Sequence, residues 1–261
     1  MHQSGAQKDE CFILIKALPH RSSKYFETVC CAGIGRDGFW RRQYPVPFRI
    51  LEGNQQFKRW DRIEYEFIQS PNDTRRESQK VIPETFKVIG TLNKKERANL
   101  VAPMIRDSFE EADDLGESLT LIRPKSLEVV AHRKSESEIS SEQRKHEALA
   151  SQMSLFDPTT KPLKTCPMAF KANWSDNGGK HRSHECDDWE TSAAYNRFER
   201  MYGSDEAIRI LKQKYEDEYF NAGLLLGFST HSRRNVENGM KNQWLLVGMI
   251  RVDAQLQGNL F

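Results

Sequence analysis

The chain has 261 residues, enough for one large domain or two modest ones, each with its own hydrophobic core. A net charge of +2 means that any affinity for nucleic acid has to come from local clusters of cations, and five irregularly spaced cysteines do not make a secreted disulfide framework. No apolar run approaches the roughly 18 residues of a membrane span, and Gln3, Gln7, Lys8 and Asp9 stand where a signal peptide would have its apolar core, so the expectation is a soluble, cytoplasmic protein with reduced thiols.

Residues 1–10 are polar and read as a disordered tail. Cys11 to Leu18 is a nearly continuous apolar run stopped by Pro19, the pattern of a strand buried on both faces. Ser22 or Ser23 then caps an expected short helix, with Tyr25, Val29, Cys30 and Ile34 at helical spacing and Gly33 and Gly35 at its end. Phe39, Trp40 and Tyr44 suggest a strand interrupted by Pro45 and Pro47, and Ile63 to Ile68 alternates as a half-buried strand should. Phe86 to Ile89 reads as another strand, Asn93 as the cap of a helix to about Phe109, and Leu119 to Ile122 and Leu127 to Ala131 as two closing strands. Residues 11–132 therefore form a small mixed α/β or barrel-like domain.

From 133 to 164 the composition turns to Ser, Glu, Gln, Lys and His, which marks a linker with at most a marginal helix over Ser141 to Ser151. Residues 165–253 make an α+β domain. It opens with a hairpin turning at Asp176 to Gly179, followed by a helix capped by Asp187 or Asp188, with Trp189, Ala193, Ala194, Phe198 and Met201 on its apolar side. A second helix from Ser204 turns Ile208, Leu211 and Tyr215 inward, and two buried strands, Gly223 to Thr230 and Trp244 to Val252, follow before a tail at 254–261. The fold class is α+β, two small mixed domains joined by a polar linker.

Three constellations bear chemistry. The stretch from Arg36 to Arg62 sets Arg36, Arg41, Arg42, Arg49, Lys58 and Arg59 among Trp40, Tyr44, Phe48, Phe57 and Trp60, with Arg75 and Arg76 following. Guanidinium groups hold phosphates while aromatic faces stack on bases, so this is a candidate nucleic-acid surface; strand alternation equally allows the aromatics to be core. Cys166, His181, His184 and Cys186 are ligand types suited to zinc, although a lone Cys166 is an incomplete second knuckle. Asp188, Glu190 and His231 could form a phosphodiesterase site holding a divalent metal ion, whereas Asp188 and Glu190 also sit where helix capping alone would put them.

The polar connector contains one apolar word, Gln152-Met153-Ser154-Leu155-Phe156. It resembles the peptide by which proteins bind the bacterial sliding clamp: Gln, then Leu or Met, then Ser or Asp, then Leu, then Phe. Such a match arises by chance in roughly one chain of this length in a thousand. The resemblance implies that Leu155 and Phe156 fill an apolar pocket on the clamp while Gln152 bonds the rim. Gln257, Leu260 and Phe261 repeat the theme more loosely at the C-terminus, where Gly258 and Asn259 depart from it. The leading expectation is a bacterial, phage or plasmid DNA-associated protein, tethered to the clamp and contacting nucleic acid, in replication-linked repair, mobile-element biology or defence. A metal-dependent nuclease or nucleic-acid-modifying enzyme with its site in the second domain, and a non-catalytic adaptor, are the alternatives.

Overall fold

The apolar run beginning at Cys11 lies in the middle of a longer strand, and the first ninety residues pair outward from it. In the computed structural model, which describes residues 5–22, 26–71, 73–153, 163–230 and 244–253, six strands come first. They are β1 (Gln7–Lys16), β2 (His20–Ser22), β3 (Phe26–Gly35), β4 (Trp40–Val46), β5 (Asp61–Gln69) and β6 (Ser78–Thr91). β1 pairs antiparallel with both β3 and β5, which closes the ring β1-β5-β6-β4-β3-β1; β2 adds to β3. All pairs around the ring are antiparallel except β4 with β6. Counted in chain order, the five barrel strands follow the circuit 1-2-3-5-4-1 with the third and fifth parallel, the connectivity of the Greek-key barrel called the OB-fold.

Two expectations fail here for physical reasons. Residues 26–35 are strand, not helix: Val29 and Cys31 point into the barrel while Ala32 and Ile34 point out to a second core. With both faces apolar, the period-2 signal disappears and helical spacing can be read into it. Gly33 is no helix stop either, since a Cβ there would lie 2.4 Å from the Phe12 carbonyl oxygen, where β1 and β3 cross closely. The polar residues Gln7 to Glu10, read as tail, are strand because they pair with Glu64 to Phe67 of β5.

After β6, Asn93 caps a single 3-10 turn by accepting from the Lys95 amide at 3.2 Å, and α1 (Arg97–Val101) is cut short by Pro103. The second part of the chain then comprises β7 (Ile105–Arg106), α2 (Phe109–Asp114), β8 (Leu119–Ile122), β9 (Ser126–Arg133), α3 (Glu136–Met153), β10 (Met168–Ser175), β11 (His181–Glu185), α4 (Trp189–Tyr202), α5 (Ser204–Lys212), β12 (Leu224–Thr230) and β13 (Trp244–Arg251). β8 and β9, expected to close the first domain, pair elsewhere: β8 with β12 in the sheet β13-β12-β8-β7, and β9 with β10 in the sheet β11-β10-β9. The polar connector itself carries the 18-residue helix α3.

The four-stranded sheet is buried on both faces. Leu224, Leu226, Phe228 and Leu246 meet Trp174, Tyr195, Leu211 and Tyr215 in the core of the second part. On the other face Leu119, Leu121, Leu225, Val247 and Ile250 pack on Leu14, Ile15, Ala32, Ile34 and Trp40 of the barrel. The paired Gly227 and Gly248 leave a notch for Ile15, whose side chain would stand 3.1 and 3.2 Å from added Cβ atoms. α4 turns Thr191, Ser192 and Tyr195 inward and leaves the expected apolar Met201 55% exposed. Polar groups bind that face: Thr191 Oγ1 and Tyr215 Oη lie 2.9 Å apart, as do Tyr195 Oη and Ser204 Oγ. Among the described residues no helix is long and apolar enough to cross a membrane.

Candidate functional site

The basic and aromatic residues between Arg36 and Arg62 are largely committed inside the protein. Trp40 and Trp60 are buried in the seam between barrel and sheet, and Phe57 fills the barrel interior. Arg41 donates to Asp9 at 2.6 Å and Asp37 at 2.7 Å. Arg42, 3% exposed, crosses the seam to Ser229 Oγ at 2.6 Å and the Ser118 carbonyl at 2.9 Å, with Glu77 beside it at 3.2 Å. Arg75 holds Asp73 and the Thr230 carbonyl. Arg49 is half-buried with partners of its own. Arg36, ion-paired to Glu10 at 2.7 Å, stays largely exposed, as do Lys58 and Arg76. The outer barrel face that OB-folds use for oligonucleotides, centred on their second and third strands, is in this chain partly covered by the four-stranded sheet.

Arg59 is, like Arg42, drawn into the seam. Its Nε donates to the Leu14 carbonyl at 2.8 Å, Nη1 to the Met249 carbonyl at 2.7 Å, and Nη2 to Asp188 at 3.0 and 3.3 Å. Asp188 is wholly buried, and it also accepts from the amides of Glu190 and Met249, both at 3.0 Å, so one carboxylate caps α4, grips β13 and neutralises Arg59. Burial pushes the Asp188 carboxyl up while Arg59 opposes it. Against its own burial, Arg59 is held above its ordinary value by Asp188 and Glu190. Glu190 pairs with Lys16 at 3.1 Å, and these cations keep its carboxyl low despite burial. The structure thus brings Asp188 and Glu190 together at the seam with Arg59 and Lys16 already on them; His231 lies outside the described residues.

The four zinc-type residues scatter. His181 is exposed on one side of β11, while His184 lies on the other, accepting from Trp174 Nε1 at 3.1 Å through Nδ1. Burial, aided by Arg182, lowers the His184 imidazole to about 4. Cys186 is buried beside Thr191 and Met249, and burial pushes its thiol up to about 12; Cys166 is half-buried, its thiol likewise raised by burial. Among the described residues no group of three His, Cys, Asp or Glu could hold a metal ion.

The clamp-like word begins in the last turn of α3. Ser135 and Glu138 open α3 with a capping box: Ser135 N donates to Glu138 Oε2 at 2.8 Å and Glu138 N to Ser135 Oγ at 3.3 Å. Lys134 bonds Glu142, Gln143 takes the amide of Thr165, and most of the helix surface faces outward until Ala150, which is buried. α3 ends at Gln152-Met153, while Leu155 and Phe156, like Gln257, Leu260 and Phe261, lie outside the described residues.

One grouping joins the sequence candidates Trp40, Arg41 and Arg76 to Lys8 and Ser78, which no motif singles out. The start of β1 meets the starts of β4 and β6 at the barrel mouth, lining a polar cavity of about 380 Å³ with Lys8, Trp40, Arg41, Arg76 and Ser78. Only the pairing of a polar strand across the ring brings residue 8 to residue 76. A family model described as Domain of unknown function (DUF8758) matches residues 7–107, and one described as Domain of unknown function (DUF8757) matches residues 102–261. Their spans overlap across Pro103 and β7, where the barrel gives way to the sheets. No curated protein matches the chain.

Proposed function

Starting from a chain that belongs to the family Domain of unknown function (DUF8757), which matches residues 102–261, we propose that it is a cytoplasmic, DNA-associated protein recruited to the bacterial sliding clamp through Gln152 to Phe156. One observation supports the reading: α3, opened by a capping box and largely exposed along its described surface, leads into the word, whose residues from Ser154 on lie outside the described ones. A Leu-Phe pair in a polar stretch of sequence is what a partner with an apolar pocket would grip. Clamp binding provides the address on DNA, and tethering raises the local concentration, so a protein of net charge +2 needs little DNA affinity of its own. Arg36, Lys58 and Arg76, exposed on the barrel, are the cations left for phosphate contact, and the barrel's connectivity supports a nucleic-acid role in repair, mobile-element biology or defence.

Substitution of Gln152, Leu155 and Phe156 by alanine tests the reading. Capture by an immobilised bacterial clamp should be lost while the melting temperature stays within about 2 °C, since only partner contacts are removed. A lowered melting temperature together with unchanged capture would overturn it and assign the peptide to the protein's own packing.

A further inference from the structure

We infer that the barrel mouth is a binding site for a phosphate group, carried either by a free nucleotide or by the end of a nucleic-acid strand. The inference is independent of clamp recruitment, which uses Gln152 to Phe156; it shares Arg76 with the phosphate contacts proposed on the barrel.

The groups left unspent in the 380 Å³ cavity favour an anion. Trp40 is 9% exposed and Ser78 3%, yet neither Trp40 Nε1 nor Ser78 Oγ makes a hydrogen bond among the described residues. An indole N–H can only donate, so what it lacks is an acceptor. The Ser78 hydroxyl is near the Asp73 carboxylate but short of bonding geometry, and that carboxylate is held by Arg75. Leaving a buried donor unmet is costly, and Trp40 and Ser78 both line this one cavity.

The acids on the same wall are already answered. Asp9 Oδ2 accepts from Arg41 Nε at 2.6 Å and from Gln79 Nε2 at 2.7 Å, and Glu77 Oε1 accepts from Arg42 and the Ser118 hydroxyl. Gln79 is fixed in turn by the Tyr65 hydroxyl, which donates to its Oε1 at 2.6 Å from inside the barrel. Against these neutralised carboxylates stand Lys8 and Arg76, both exposed and paired with no acid among the described residues. Donors without acceptors beside cations without acids call for an oxyanion that presents several acceptor oxygens. At about 380 Å³ the cavity has room for a phosphate group.

Four probes applied to the full chain test this by titration calorimetry: inorganic phosphate, adenosine monophosphate, and one short oligonucleotide with a 5′-phosphate or a 5′-hydroxyl. Saturable binding of phosphate and the mononucleotide supports the site with a free nucleotide as its source; binding of the 5′-phosphorylated strand alone supports it with a strand end. In either case Trp40→Phe, which stays aromatic but loses the pyrrole ring with its N–H, should weaken binding about tenfold, as should Arg76→Ala. Trp40→Phe also takes packed atoms out of the seam, so its melting temperature should fall by a few degrees while the fold is kept. No binding of any probe at millimolar concentration, equal binding of the two oligonucleotides, or binding unmoved by both substitutions would each overturn the inference. Arg76→Ala, on an exposed side chain, keeps the test decisive should the Trp40 variant fail to fold.

Discussion

Replacing Asp188 with alanine separates a structural carboxylate from a catalytic one. The side chain is wholly buried and accepts from Arg59 Nη2 and from the amides of Glu190 and Met249. Its loss leaves a buried guanidinium without its counter-charge and strips the cap from α4. Breaking a buried pair from one side costs about 3–5 kcal/mol, a large share of the roughly 5–15 kcal/mol that holds a domain together. For a chain of this size that amounts to a melting temperature lower by roughly 10 °C. Arg59→Met should be milder in acid: it leaves a carboxyl whose pKa burial has raised, so the folded state takes up a proton before the unfolded chain does, and the variant recovers stability as pH falls. The double variant should cost less than the two single costs added, because it leaves neither charge unpaired. Urea titrations of the three variants, followed by circular dichroism at pH 7 and pH 5, measure all of this. An Asp188→Ala protein within 1 kcal/mol of the parent would refute the reasoning and return the carboxylate to a site under functional rather than structural constraint.

Two further outcomes follow from particular contacts. Gly33→Ala forces a Cβ against the Phe12 carbonyl at 2.4 Å, backbone that cannot move aside, and should cost at least the 1–3 kcal/mol typical of overpacking in a urea titration. His184 titrates near 4 when folded, against an ordinary value of 6.5, so the unfolded chain binds the proton first. Its contribution to stability is complete above about pH 6.5 and is lost as pH falls toward 4; His184→Gln, which keeps an acceptor for Trp174 Nε1, should flatten that part of the stability profile. An unchanged slope between pH 7 and pH 4 would assign the acid sensitivity to other groups.

Several elements were legible because one local rule governed each. The hairpin β10–β11, the Asp188 cap of α4, the strands β12 and β13 and the alternating β5 all follow from turn residues, a capping carboxylate, an apolar run or a period of two. What failed depended on pairing across distance. β3 read as helix because its two faces serve two cores, and Gln7 to Glu10 read as tail because only β5 makes them strand. β8 and β9 were assigned to the wrong side of the domain boundary, since their partners β12 and β10 come later in the chain. The candidate sites divide in the same way. The spacing of arginines and aromatics from Arg36 to Arg62 could not tell that Arg42 and Arg59 reach across a seam to Ser229 and Asp188. The word at 152–156 is local in sequence, and its residues from Ser154 on lie outside the described ones.

The most direct test of the account is a titration of the purified chain against a bacterial sliding clamp, with a free peptide spanning Ala150 to Pro158 as competitor. Saturable binding that the peptide displaces, and that is lost when Gln152, Leu155 and Phe156 are alanine, is the predicted result. Absence of binding, or binding indifferent to both the peptide and the substitutions, would contradict it.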